Sequence, residues 1–488
     1  MRGRAPYPCH VSQAAISCGS APTAHAGAEV LRSGGNAVDA AIAAAFASTV
    51  SEPGVSSLGG GGFLLVRLPD GTQHVLDFFT TVPSGPAGQR ETVTVVYSGA
   101  TQDFHVGNAT VAVPGCLDGF LDAHRRWGRL PLPEVVATAI DFAANGVLLD
   151  ARQAHAMALI EPVLLLTEAS RQRMAPAGVL LGDGDRYRDP ELAALLKRVA
   201  AGEVRGVADL AAQFAELMPD GPVTQEDLRA FSPVLREPLV AGIRSGTVTT
   251  NPLPSLGGTI VAHVLRDLAD ESHPSPRAIA EALVETTAWL KAQVSGPVSA
   301  AGTTHISVVD ADGMAAALTV SNGVGGGVFL PGTGIHLNNM MGEDDLHPGG
   351  PDAAVAGERI RSMMAPSIVD YDGGCLILGT GGSERIRSAL TRVITLMLGG
   401  DADLAGAVEA PRVHVDNQGV IQVEPGLPDR QVEELRALGE VSLWPELHFY
   451  FGGVNAVHVQ PDGVTSAHAD PRRGGAAIVV DQVPRTDP

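Results

Sequence analysis

The residues best suited to chemistry in this 488-residue chain lie in Gly302-Thr303-Thr304-His305-Ile306-Ser307-Val308-Val309-Asp310. This segment alternates as a strand does, yet it reads like a chain start set in the middle of a chain. If the peptide bond before Thr303 is cut, its hydroxyl gains a free α-amine on the same residue, so nucleophile and general base coincide. An α-amine titrates at about 7.7 to 8.0, close enough to neutrality to take the hydroxyl proton and return it. Threonine and alternation also describe an ordinary strand, so the chemical reading depends on what surrounds the segment.

Residues 303–309 and 315–320 pair as a predicted hairpin around Asp312-Gly313, and Ser321-Asn322-Gly323 breaks the second strand. The hairpin is expected to put Thr303 at a sheet edge, with a new terminus in a cleft. Further on, Gly381-Gly382-Ser383 precedes a helical pattern of Ile386, Ala389, Leu390, Val393, Ile394 and Met397. Two glycines at a helix start let backbone N–H groups face an anion. A tight strand-to-helix turn is the plainer alternative.

Other segments follow in a telling order. They are 26–41 with Gly34-Gly35-Asn36, Gly59-Gly60-Gly61-Gly62-Phe63, Val113-Pro114-Gly115, 126–131, 325–335, 337–346, Ala410-Pro411-Arg412 and 469–475. Over nearly its whole length the chain resembles the γ-glutamyltranspeptidase family of N-terminal-nucleophile hydrolases. The resemblance implies an α+β fold, a four-layer αββα sandwich to which a 1–302 segment and a 303–488 segment contribute jointly after cleavage between Gly302 and Thr303. It implies Thr303 as nucleophile, Thr304 as support for the new terminus, and Gly381 and Gly382 as the oxyanion hole. Ser321 falls at the family's second hydroxyl, with Thr319 as the alternative. Asn322 arrives one residue early for the substrate-binding asparagine, so it either reaches the pocket through a bulge or only shapes the turn with Gly323. Glu343 falls on the acidic residue that holds a substrate α-ammonium, with Asp344 and Asp345 beside it.

Two positions depart from the family. Phe79, in Asp77-Phe78-Phe79-Thr80, stands where an arginine grips the substrate carboxylate, and the paired serines read Ser362-Met363. Losing a guanidinium clamp weakens carboxylate binding, so Phe79 and Met363 together suggest a more apolar acyl pocket. The implied activity is cleavage of γ-glutamyl amides such as glutathione, by hydrolysis or transfer. The alternatives are an acylase for another acyl group and a non-catalytic relative. No organic cofactor is expected, and no metal: His305 and His336 have no partners at ligand spacing. The glycine clusters lack the Lys-Ser or Lys-Thr of a phosphate loop.

A net charge of −21 argues against nucleic acid or an anionic membrane surface as partner, and the resemblance implies a small-molecule amide substrate. The 4 cysteines have no paired metal spacing and read as buried or incidental thiols. Residues 1–10 have basic side chains but no apolar stretch after them, and no run approaches a membrane span, so a cytoplasmic location is expected. To position the site, helices are predicted over 23–32 and 38–50, with Asn36 capping the second. A hairpin spans 63–67 and 73–79, mainly helical stretches cover 117–144 and 151–217, and a helix over 278–294 leads into a flexible run of small residues, 295–302, before the cut.

Overall fold

The computed structural model describes residues 11–97, 100–293, 302–343, 346–347 and 350–481. The expectations for residues 1–10 and 295–301 and for Asp344 and Asp345 lie outside the described residues.

Two antiparallel sheets stack face to face. The first has the strand order Ala476–Val480, Ala14–Cys18, Gly302–Val309, Ala315–Gly323, Gly61–Arg67, Gln73–Asp77, Val234–Arg236. The second runs Thr465–Ala469, Asn455–Val459, Gly374–Gly379, Ser367–Tyr371, Gly246–Thr250, Leu239–Ile243. Strand alternation distributes the side chains among three cores. Ile306 and Val308 face the helices Ala21–Arg32 and Ala37–Ser51. Val309, Phe63 and Leu65 meet Ile368, Ile377 and Val457 between the sheets. Val248, Leu376 and Leu378 pack under the helices Leu256–Asp267, Pro276–Gln293 and Arg385–Gly399. The result is four layers, helix, sheet, sheet, helix. Both sheets take strands from either side of residue 303, so the two segments build one unit.

Local chemistry explains the elements nearest the site. The first helix ends before Gly34, whose φ of +88° suits glycine. Asn36 then starts the second: its side chain accepts from the Asp39 N–H at 2.9 Å, and the Asp39 carboxylate accepts from the Asn36 N–H at 3.0 Å. The stretch predicted as helical over 117–144 divides at Gly128–Pro131 into Cys116–Trp127 and Leu132–Asn145. The hairpin after Thr303 is closed by Asp310, whose carboxylate accepts from the N–H groups of Asp312 at 2.9 Å and Met314 at 3.0 Å.

One expectation is corrected. Gly302–Val309 is not an edge strand: it is third of seven, between Ala14–Cys18 and Ala315–Gly323. Thr303 lies instead at the end of an interior strand, beyond the residues 307–309 that pair with Ala14–Cys18. Among the described residues no helix is long and apolar enough to cross a membrane.

Candidate active site

Thr303 is buried, 5% exposed, and faces Ser321 across the hairpin, with a register shift between Gly302 and Thr303. Such an irregularity takes the Gly302–Thr303 peptide out of regular ladder pairing. The Ser321 hydroxyl donates to the Gly302 carbonyl, the oxygen of that peptide, and accepts from the Gly323 N–H at 3.0 Å. Thr319 is engaged elsewhere, with the His305 ring.

The second sheet brings the glycine pair to the same point. A Cβ on Gly381 would lie 2.2 Å from the Thr303 carbonyl oxygen, so the close approach requires glycine. Gly382 has φ +127° and Ser383 φ +49°. The Thr380 hydroxyl fixes this turn, accepting from the Gly453 N–H at 2.9 Å and donating to the Gly381 carbonyl at 2.9 Å.

His305 is interior and structural. Its Nδ1 is 2.7 Å from the Thr319 hydroxyl and its Nε2 2.9 Å from that of Ser307. Because Ser307 donates to the Asn455 carbonyl at 3.0 Å, the proton of the neutral ring belongs on Nε2. Burial pulls its pKa down to about 3, so the ring is a poor base. His336 accepts from the Gly327 N–H at 3.1 Å and stacks on Phe329.

Two small cavities flank Thr303. One touches Glu52, Thr303, Thr304, His305 and Arg473, the other Gly54, Val55, Gly302, Arg385 and Arg473. The Arg473 guanidinium lies 3.4 Å from the Thr303 carbonyl oxygen and stacks 3.8 Å above the Phe449 ring. Sequence reasoning assigned no role to Arg473 or Glu52. Arg473 falls in the 469–475 segment, which carried resemblance without a function, and Glu52 follows the second helix with no spacing signal at all.

The other predicted residues divide into those near Thr303 and those away from it. Asn322 is buried beside Ser321. Its Nδ2 is 3.4 Å from the Leu337 carbonyl, and its Oδ1 has no hydrogen-bond partner among the described residues. Glu343 reaches the same strand end: its Oε1 would lie 2.5 Å from a Cβ on Gly323. Ser362 caps its own loop, accepting from the Met364 N–H at 3.1 Å. Phe79 and Met363 do not share an acyl pocket, and that expectation is corrected. Phe79 stacks on Phe63 with ring centres 5.6 Å apart, between the sheets, whereas Met363 belongs to the core beneath the second sheet's helices. A sheet separates the two cores, and neither residue lines the cavities beside Thr303.

A threonine opening an interior strand of an αββα sandwich, with a glycine turn of the second sheet on its carbonyl, defines an N-terminal-nucleophile hydrolase, a class that hydrolyses or transfers amides. The model of the gamma-glutamyltranspeptidase family matches residues 23–295 and 269–480, and the chain belongs to that family. An acylase ACY 1 proenzyme of Pseudomonas sp. (strain V22) is 30% identical, with 98% of this chain and 96% of the relative aligned. A glutathione hydrolase proenzyme of Escherichia coli (strain K12) is 28% identical over 96% of this chain and 91% of its own length. The crystal structure of a cephalosporin acylase from Bacillus halodurans superposes with a TM-score of 0.82 at 23% identity, over 99% of this chain and 100% of that one. This last likeness concerns the fold.

Proposed function

We propose that the chain is a precursor that cuts its own Gly302–Thr303 bond and then cleaves γ-glutamyl amides such as glutathione through Thr303. The observation that carries this reading is the convergence on the two peptides that flank Thr303: Ser321 donates to the Gly302 carbonyl before it, while Gly381 packs on the Thr303 carbonyl after it. In self-cleavage the Ser321 hydroxyl polarises the carbonyl that the Thr303 hydroxyl attacks. In turnover the freed α-amine takes the hydroxyl proton, Thr303 Oγ bonds to the substrate carbonyl carbon, and the same amine returns the proton to the leaving nitrogen. The Gly381 and Gly382 N–H groups face the oxyanion. Water or an acceptor amine releases the acyl group. Glu343 and Asn322 supply a carboxylate and an unpaired amide oxygen for a substrate ammonium.

A second reading, an acylase for a different acyl group, is favoured by one observation. Phe79 holds the place of the clamp and is packed into the core, so no guanidinium reaches substrate from there.

Intact mass spectrometry after incubation, beside Thr303→Ala, tests the reading. Fragments 1–302 and 303–488 are expected in the wild type alone. A persistent full-length wild-type chain removes the amine and leaves a non-catalytic relative.

A further inference from the structure

Glu52 is a buried carboxylate, 1% exposed, at the end of the helix Ala37–Ser51. Its partners are hydroxyls: Thr23 donates to Oε1 at 2.6 Å, and Thr23 is itself 2.8 Å from the Ser20 hydroxyl and 2.7 Å from that of Ser51. Among the described residues no cation lies within ion-pair distance of it. A buried carboxylate without a cation is costly to ionise. Burial accordingly pushes the Glu52 carboxyl up, against hydrogen bonds from Thr23, Thr304 and Ser20.

The turn that Glu52 begins runs alongside the bond to be cut. A Cβ on Gly19 would lie 2.4 Å from both Glu52 Oε2 and Thr304 Oγ1. Two residues further along this turn, a Cβ on Gly302 would lie 3.1 Å from the Gly54 carbonyl oxygen and 3.2 Å from Val55. Glu52 thus lies by the Thr304 side chain and Gly54 by Gly302, and Glu52 shares a cavity with Thr303. The other titratable groups around that carboxylate are Cys18 on the first strand, Asp150, His305 and Arg473. Burial keeps Cys18 a thiol and His305 a neutral ring, and Arg473 contributes positive charge.

We infer that Glu52 is the counter-charge of the α-ammonium that cleavage exposes at Thr303, holding that group beside the hydroxyl and setting the pH at which it becomes a base. This inference rests on self-cleavage before Thr303. Hydrolysis of that amide by one water leaves a carboxyl on Gly302 and an amine on Thr303. The Gly302 carboxyl O–H bond then breaks as an N–H bond forms on the amine, because an α-carboxyl is the far stronger acid, and the Thr303 ammonium so formed meets the Glu52 carboxylate. Glu52 is a positioning residue, since it acts through the amine.

The test reads the amine directly. Trace acetic anhydride acetylates only the unprotonated amine, and the labelled N-terminal peptide of the 303–488 fragment is counted across a pH series. An opposite charge raises an amine's pKa by about one to three units. The half-reactive pH is therefore expected to fall by at least about one unit in Glu52→Gln, and by less in Glu52→Asp. Coincident curves for wild type and Glu52→Gln overturn the inference, while intact masses showing the cut leave the processing reading standing. If Glu52→Gln does not fold or cut, the wild-type curve alone decides: a midpoint at or below about 7.7 to 8.0, the ordinary range, overturns it. A wild type that stays full length overturns both readings.

Discussion

At the scale of single residues, the site is set by close approaches rather than by unusual side chains. Gly381 is the sharpest case, because any Cβ there meets the Thr303 carbonyl. Gly381→Ala is expected to push the Thr303 carbonyl and the N–H of residue 381 apart, lowering the melting temperature and, by misplacing one oxyanion donor, lowering kcat by up to about 100- to 1000-fold, the range for losing such a donor, measured with L-γ-glutamyl-p-nitroanilide beside a thermal melt. Unchanged kcat would take Gly381 out of the proposed oxyanion hole. Thr303 and the glycine pair were legible because a short ordered set of residue types carries them. Arg473 and Glu52 were not, since their importance comes from sharing a cavity with Thr303 across a large sequence separation. Phe79 was visible as a departure, but which core receives it depends on the stacking partner Phe63 and on the second sheet behind it.

At the scale of elements, the helix Ala37–Ser51 supports the strand Gly302–Val309 from behind, and its start is held twice. Asn36 and Asp39 cap each other, and Asp310 accepts from the Ala37 N–H at 3.0 Å, which ties the hairpin turn to the helix. Asn36→Ala is expected to cost about 1 kcal/mol, read as a lower urea midpoint with unchanged slope. The cap and the hairpin could be read from sequence, since both depend on residues a few positions apart. The interior position of Gly302–Val309 could not. Its other neighbour, Ala14–Cys18, is almost three hundred residues earlier, and alternation alone does not say how many strands flank a hairpin.

At the scale of the whole molecule, the two segments interleave in both sheets, so cutting between them removes one covalent bond from a shared core. The expected outcome is a pair of fragments that elute together at the mass of the uncut chain in gel filtration and part only in denaturant. Separate elution in native buffer would contradict the shared core. A last consequence follows from one edge of the first sheet. The strand Ala14–Cys18 lies between Ala476–Val480 and Gly302–Val309, with Ala14 opposite Val480 and Ala15 opposite Val309. The earliest and the latest strand among the described residues and the strand that would begin at the proposed cut therefore lie side by side. The proposed cut would therefore create a second first strand directly beside the original one, and would break no pairing of the sheet in doing so.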